Sequence, residues 1–173
     1  IFTGPVGAGK TTLIKAFSGS EPVLTEVRAS DEVSQLKEST TVAIHYGSVI
    51  LDEETKVHLY GTPGQKRFDF MWDILTEGGI GLVLLLDNVR PDPINDLSFF
   101  IKAFRGFIEK TGVVLGITRT DLRNVPAIED YQRELTNHGL GNTPVFEVDA
   151  REKRDIGLLV ETLLCSLDPM VEQ

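Results

Sequence analysis

"GPVGAGKTT", residues 4–12, is the stretch that decides the fold. It fits the pattern G-x-x-x-x-G-K-[ST], with a strand-like segment before it and a helix-like segment after it, which is the context that a phosphate-binding loop requires. We expect the backbone N–H groups of this loop to point inward around phosphates, and the helix that follows adds the positive end of its dipole. The loop residues in this interpretation are Gly4, Val6, Gly7, Ala8 and Gly9.

Three side chains at the end of this loop have separate expected roles. Lys10 neutralises the β- and γ-phosphates, Thr11 offers a hydroxyl to Mg²⁺, and Thr12 is placed to reach the α-phosphate. The alternative is a glycine-rich turn that binds no ligand.

The rest of the chain alternates strand-like apolar runs with segments of helical period. This alternation predicts an α/β domain with a mostly parallel sheet. Only "DEET" separates the apolar runs "VAIHYGSVIL" and "KVHLYG", a connection too short for a parallel crossover, so we expect one antiparallel edge strand. The polar segment Ser20–Thr41 is predicted to be a long connection.

Length and charge limit the function. A chain of 173 residues predicts one domain spanning 1–173, and a net charge of −9 argues against nucleic-acid binding. Cys165 lies among apolar residues of helical period, which predicts a buried thiol in a reducing, cytoplasmic setting. No apolar run approaches the roughly 20 residues of a membrane span. Ile1 opens within a predicted strand, so we expect residues before it to be missing.

A second motif concerns the base of a nucleotide. "TRTD", Thr118 to Asp121, ends a predicted strand and is similar to the [NT]-K-x-D base-recognition box, in which Arg119 takes the lysine position. A carboxylate at Asp121 accepts hydrogen bonds from guanine N1–H and the exocyclic amine, and adenine lacks both donors. Guanine is therefore favoured. The alternative role of Asp121 is the N-cap of a helix.

With the loop, the hairpin, "TPGQ" and "TRTD" in this order, the chain resembles the Ras-like small GTPases and, within them, the bacterial Mgl-type branch and its actinobacterial relatives. The resemblance implies a P-loop NTPase (small G-protein) fold with six strands in the order 2-3-1-4-5-6 and helices on both faces. It also implies a molecular switch that uses GTP, GDP and Mg²⁺.

The same resemblance implies roles for individual residues. Thr41 would bind Mg²⁺ and the γ-phosphate, the N–H of Gly64 would sense the γ-phosphate, and Gln65 would orient water. In the base pocket, Arg119 would lie along the base. The segment "DAR" would complete the pocket through the N–H of Ala150 and through Arg151.

The chain departs from the family pattern at several positions. Gly61 stands where the Mg²⁺-associated aspartate belongs, and His45 stands where Mgl-type relatives carry a compensating aspartate. Val6 should crowd an incoming arginine, and Thr40 precedes the switch threonine where an arginine could stand. We therefore expect slow hydrolysis and a regulatory partner, which the Mgl-type resemblance implies to be a roadblock-fold activator or exchange factor.

Two other functions stay open. One is a nucleotide-locked scaffold with little hydrolysis, favoured by Val6 and Gly61. The other is an ATP-using P-loop enzyme, in which Asp87 at the end of "GLVLLLD" would bind the metal; a structural role for Asp87 or Asn88 is preferred. The aromatic stretch "RFDFMW", residues 67–72, fits either a partner surface or core packing.

Overall fold

The computed structural model describes residues 1–19, 23–27, 42–50, 53, 55–64 and 70–167. The strands in these ranges are β1 (Phe2–Thr3), β2 (Val23–Val27), β3 (Val42–Ile50), β4 (Lys56–Gly61), β5 (Leu82–Asp87), β6 (Val113–Thr118) and β7 (Val145–Glu147). The helices are α1 (Lys10–Ser18), α2 (Phe70–Thr76), α3 (Pro93–Ala103), α4 (Arg105–Ile108), α5 (Ile128–Asn137) and α6 (Lys153–Leu167). None of these helices has the length and apolar character that a membrane span requires.

One sheet contains all of these strands in the order β2-β3-β4-β1-β5-β6-β7. The five neighbouring strands β4, β1, β5, β6 and β7 are parallel to one another, whereas β3 is antiparallel to both of its neighbours. The predicted α/β P-loop fold is confirmed, and the six predicted strands lie in the predicted order. The carboxyl ends of β1, β5 and β6 therefore meet at one edge, where ligands bind in open α/β sheets.

The antiparallel edge needs a correction. Val23–Val27 forms a seventh strand within the segment predicted to be a connection, and it pairs with β3. The antiparallel strand β3 is therefore second from the edge. Three of the five residues of β2 are β-branched, which favours a strand, but the run is short and flanked by polar residues. The rest of Ser20–Thr41 lies outside the described residues.

The core has two layers, one on each face of the sheet. Side chains alternate along the fully buried strand β5, so that Val83 and Leu85 pack toward α1 and α6 while Leu82, Leu84 and Leu86 pack toward the other helices. The apolar face of the segment after β5 is buried throughout, with no member more than 5% exposed. Its members are Leu97, Phe100, Ile101, Phe104 and Ile108.

Trp72 on α2 belongs to the second layer. Its side chain is 3% exposed, and its ring centroid lies 4.9 Å from that of Phe104 and 5.5 Å from that of Phe100. Its Nε1–H donates to the carbonyl oxygen of Pro63 at 3.4 Å. Core packing, and not a partner surface, is therefore the role of this aromatic residue, while residues 65–69 lie outside the described residues.

Cys165 is exposed, so the predicted buried thiol is wrong. The buried face of α6 includes Leu159 and Leu163. Two residues correspond to about 200° of rotation around an α-helix, which places Cys165 on the side opposite Leu163. The prediction relied on the apolar residues next to Cys165 in the sequence, which do not show on which side of the helix the thiol lies.

The aromatic layer generates a stability prediction. Phe100→Ala should lower the free energy of unfolding by about 3–5 kcal/mol, because it removes a fully buried ring and leaves a cavity. Leu122→Ala, at a side chain 70% exposed, is the matched control and should change it by no more than about 0.5 kcal/mol. Urea denaturation followed by circular dichroism measures both values, and equal values for the two variants would contradict the core assignment.

Candidate functional site

The phosphate loop lies between β1 and α1. Its glycines Gly4, Gly7 and Gly9 have φ angles of 139°, 85° and 99°, in the left-handed region that favours glycine. A Cβ at Gly4 would lie 2.0 Å from the carbonyl oxygen of Leu85 on β5. The loop therefore has the curled backbone that a phosphate cradle needs, and it rests directly on the neighbouring strand.

Two contacts join this loop to the base-recognition segments. The Thr118 hydroxyl donates to the carbonyl oxygen of Leu86 at 3.1 Å and lies 3.4 Å from that of Ala8, which is buried in the loop. A Cβ at Gly9 would lie 2.7 Å from the Cβ of Ala150. The phosphate loop, the "TRTD" segment and the "DAR" segment thus pack directly against one another.

Lys10 is the first residue of α1, and its ammonium group folds back over the loop. Its Nζ donates to the carbonyl oxygens of Gly4 and Pro5, each at 2.7 Å. Burial, and secondarily the positive charge of Arg90, lower the pKa of Lys10 to about 8. An incoming phosphate would supply the negative charge that this desolvated ammonium group favours.

Gly64 lies against the same loop. The segment leading to it is held by a 2.8 Å hydrogen bond from the N–H of Thr62 to the carbonyl oxygen of Phe2. A Cβ at Gly64 would lie 2.6 Å from the backbone nitrogen of Val6 and 2.8 Å from Nζ of Lys10. The structure therefore brings Gly64 beside the residues predicted to hold phosphates, with no room for a side chain.

Two of the predicted residues, Thr41 and Gln65, lie outside the described residues. The roles that the resemblance implies for them in binding Mg²⁺ and in orienting water stay predictions. The same holds for Thr40, the position at which an internal arginine could stand.

Asp87 ends β5 and is 3% exposed. Its Oδ2 accepts a hydrogen bond from the Arg119 guanidinium at 2.7 Å, and its Oδ1 accepts one from the N–H of Val89 at 3.1 Å. Arg119 has a φ of 60°, an uncommon backbone conformation for a residue other than glycine. Both carboxylate oxygens are engaged, so this geometry supports the structural role of Asp87 over metal binding.

Asn88 connects the end of β5 to the chain that follows the base-recognition box. Its N–H donates to the carbonyl oxygen of Thr118 at 3.0 Å, and its Nδ2 donates to the carbonyl oxygens of Arg123 and Pro126. Its Oδ1 accepts a hydrogen bond of 2.6 Å from the buried hydroxyl of Tyr131. The sequence interpretation preferred a structural role for Asp87 or Asn88, but it gave no signal for Tyr131, which lies 43 positions from Asn88.

Asp121 lies exposed in a turn, closed by a hydrogen bond from the N–H of Arg123 to the carbonyl oxygen of Arg119, and no described helix begins there. The alternative role as a helix N-cap is therefore wrong. Arg151 forms an ion pair with Asp149 and holds the pKa of that carboxyl at about 2. The hydrogen bond and charge of Asp149, and to a lesser extent the charge of Asp121, raise the pKa of Arg151, so the "TRTD" and "DAR" segments lie within electrostatic range of each other.

Few side chains in this region can coordinate a cation. Thr11 and Thr12 lie exposed in the first turn of α1. Position 61 is a glycine, and Asp87 is engaged by the base-recognition loop. The described ranges contain no cluster of three or more His, Cys, Asp or Glu side chains suited to a metal ion. This set of ligands fits a Mg²⁺ that would arrive with a nucleotide and be held by the Thr11 hydroxyl, phosphate oxygens and water.

Two further side chains, His45 and Arg90, lie within electrostatic range of Lys10. Burial, and secondarily the charge of Lys10, lower the pKa of His45, which keeps its imidazole neutral at neutral pH. Arg90 lies in the turn after β5, and its guanidinium is paired with Asp96 on α3. The sequence interpretation gave Arg90 no role, and it named His45 only as the position of an aspartate in Mgl-type relatives. The structure pairs His45 with Gly61 across the hairpin.

Comparisons with known proteins connect this geometry to two groups. The family model described as "Conserved hypothetical ATP binding protein" matches residues 20–163. The uncharacterized protein MJ1339 of Methanocaldococcus jannaschii is 32% identical over 132 residues, which cover 76% of this chain and 75% of that protein.

Ras-related proteins match at lower identity. The Ras-related protein RABA2a of Arabidopsis thaliana is 24% identical over 170 residues, covering 95% of this chain and 71% of that protein. The GTP-binding protein ypt4 of Schizosaccharomyces pombe is 27% identical over 132 residues, covering 72% of this chain and 51% of that protein. These matches support the Ras-like part of the resemblance, and none of them is a Mgl-type protein. Together with the fold and the loop geometry, the family match over residues 20–163 places the chain in the conserved hypothetical ATP binding protein family, as a P-loop nucleotide-binding protein.

Proposed function

We propose that residues 1–173 form one guanine-nucleotide-binding domain that acts as a molecular switch and hydrolyses GTP slowly. The observation that carries this proposal is the joining of the phosphate loop to the base-recognition loop through Thr118, Ala8 and the contact of Gly9 with Ala150. A nucleotide whose phosphates lie over Lys10 would have its base directed toward the loop that presents Asp121.

The choice of guanine depends on the chemistry of Asp121. Its exposed carboxylate lies in a turn and does not cap a helix, so it is available to accept the two N–H donors that guanine presents. A base without those donors would leave the carboxylate unmatched on binding, at a cost of a few kcal/mol. The names of the Ras-related and GTP-binding relatives agree with this choice.

ATP is the second candidate, and the observation that favours it is the printed description of the matching family. The sequence feature that favoured ATP most was Asp87 as a metal ligand. Because both of its oxygens accept hydrogen bonds from the protein, Asp87 now supports ATP use less. Base selectivity distinguishes the two candidates directly.

Hydrolysis in this proposal relies on a small set of residues. Lys10 supplies positive charge beside the phosphates, Gln65 orients water and Thr41 binds the cation, in the roles that the Ras-like resemblance implies. Mg²⁺ supplies charge neutralisation of the phosphate oxygens when it is bound. Val6 is 55% exposed on the loop, where its side chain would obstruct an arginine from a partner.

A partner in this proposal therefore acts mainly by ordering Thr41 and Gln65. The Mgl-type resemblance makes a roadblock-fold regulator the candidate. If no partner raises the rate of GTP hydrolysis, the alternative function, a nucleotide-locked scaffold, is supported.

Base selectivity is the first prediction of the proposed function. GDP should bind more than about 100-fold more tightly than ADP, and Asp121→Asn should shift the preference toward xanthosine diphosphate, because the amide replaces an acceptor by a donor. Glu129→Gln, an exposed change on α5, is the control. Calorimetry measures the GDP and ADP affinities of each variant, and the nucleotide content of protein purified without added nucleotide identifies the base that it binds. Equal GDP and ADP affinities would contradict guanine selectivity.

The second prediction concerns Lys10 and pH. In the free protein its pKa is about 8, and bound phosphates favour the charged form. Above about pH 8 binding must take up a proton, so GDP affinity should fall by up to about tenfold per pH unit, and below that pH it should be level. The Lys10→Ala variant should bind GDP weakly, and its affinity should not fall with pH in this range. The Thr11→Ala variant should lose the increase in GDP affinity that Mg²⁺ gives to the wild type. A wild-type profile level between about pH 7 and pH 9 would contradict the role of Lys10.

The third prediction concerns turnover. Single-turnover GTP hydrolysis by the isolated protein should be on the order of 10⁻³ s⁻¹ or slower, and Gln65→Ala should slow it further because the attacking water loses its orienting group. Val6→Gly should allow a larger stimulation by a partner that carries an arginine. Fast basal turnover unaffected by Gln65→Ala would overturn the mechanism.

A further inference from the structure

The segment that presents Asp121 is not held by burial. Residues 119–127 are all exposed or half-buried. The large apolar side chains of this segment, Leu122 and Val125, are 70% and 61% exposed, so they do not anchor it in the core. A segment with so little buried apolar surface depends for its position on hydrogen bonds to the neighbouring elements.

Hydrogen bonds hold this segment on either side of Asp121. Before it, the Arg119 guanidinium is paired with the buried carboxylate at the end of β5. After it, the carbonyl oxygens of Arg123 and Pro126 both accept hydrogen bonds from Nδ2 of Asn88. The side-chain amide of Asn88 therefore helps to set where Asp121 lies.

A tyrosine of α5 fixes the orientation of this amide. The Tyr131 hydroxyl donates to Oδ1 of Asn88 at 2.6 Å, and both side chains are fully buried. An amide carries its acceptor and its donors on different atoms, so the hydroxyl at Oδ1 leaves Nδ2 directed toward the carbonyl oxygens of the segment. Without the hydroxyl, Oδ1 would be buried and unpaired, and the amide would turn or shift to relieve that cost.

The helix that carries the tyrosine is itself firmly held. The ring of Tyr131 packs in the second core layer. Further along α5, Oε1 of Glu134 accepts a hydrogen bond from the Ser98 hydroxyl on α3, and the carbonyl oxygen of His138 accepts one of 2.7 Å from the Arg105 guanidinium on α4. Neither of these hydrogen bonds involves Asn88. They support α5 independently of the connection through Tyr131.

We propose that Tyr131, acting through Asn88, is a positioning residue for base recognition. It holds the segment that presents Asp121 where the carboxylate meets the N–H donors of a guanine. Tyr131 has this role only if Asp121 reads the base, so the inference rests on the proposed function. Part of the base selectivity is thereby assigned to a buried residue of a helix that belongs to none of the nucleotide-binding motifs.

The test compares the affinities for two bases. Calorimetry measures GDP and ADP binding, and the ratio of the two affinities reports base recognition. Tyr131→Phe should reduce this ratio about tenfold, which is the factor that one hydrogen bond of typical strength represents. The loss should fall on GDP, and the ADP affinity should stay unchanged, because adenine has no donors for Asp121.

Two control variants separate positioning from general stability. Ser98→Ala removes another polar connection between α3 and α5, so it should lower the melting temperature but leave the ratio unchanged. Tyr46→Phe makes the same chemical change at an exposed pair, in which the tyrosine hydroxyl lies 2.8 Å from Nδ1 of His58, and it should also leave the ratio unchanged. Thermal melting checks that each variant folds.

Asn88→Ala breaks the same connection from its other end. It should also lower the ratio, and the double variant with Tyr131→Phe should lose no more than the more affected single variant, because both changes act on one chain of hydrogen bonds. Asn88→Ala alone makes the comparison with the wild type if Tyr131→Phe does not fold.

The other outcomes overturn the inference. An unchanged ratio in a folded Tyr131→Phe or Asn88→Ala variant shows that the connection does not position the base-recognition segment. The same conclusion follows from equal losses of GDP and ADP affinity, from an equal loss in Ser98→Ala, or from losses that add in the double variant. A wild-type protein that binds GDP and ADP equally overturns the proposed function before any variant is measured, so the two failures are distinguishable.

Discussion

The close approach of three loops at the carboxyl edge of the sheet is the constraint on which the rest of the structure depends. Gly4 touches the backbone of β5, Gly9 touches Ala150, and Gly64 touches the phosphate loop, and none of these contacts leaves room for a Cβ. The loops are thus held against one another by backbone packing. The side chains of the site take their positions from this arrangement, because they emerge from loops that pack closely against one another.

The cationic side chains at this edge of the sheet differ in how their charge is compensated. Arg119 and Arg90 are each paired with a largely buried carboxylate, Asp87 or Asp96. Lys10 differs, since it donates to backbone carbonyl oxygens, which satisfy its hydrogen bonds but do not neutralise its charge. The arrangement concentrates uncompensated positive charge over the phosphate loop and removes it from the surrounding loops, which favours an anionic ligand at that one place.

Most of the fold could be predicted from the sequence, because apolar periodicity and short connections are local signals. The order of six strands came from the Ras-like resemblance, and the antiparallel pairing of β3 with β4 came from the short connection between them. Local signals failed where a short strand lay among polar residues, at Val23–Val27, and where helical phase outweighed apolar neighbours, at Cys165. The structure corrected both.

The candidate site could be predicted only in part, for a related reason. Motif residues such as Ala8 and Thr118 were named from two separate motifs, and the structure brings them into contact. The hydrogen bond between Asn88 and Tyr131 joins residues that lie 43 positions apart in the chain. No motif contains such a pair, since it depends on the packing of α5.

Trp72 gives the molecule a built-in optical reporter. It is the single tryptophan of the chain, and its indole N–H reaches the carbonyl of Pro63, the residue before Gly64. Indole emission changes in wavelength and intensity when its hydrogen bonding and solvation change. Any displacement of Gly64 from the phosphate loop would pull on this contact, so the position of the loop over the phosphates can be followed by the protein's own fluorescence, without a label.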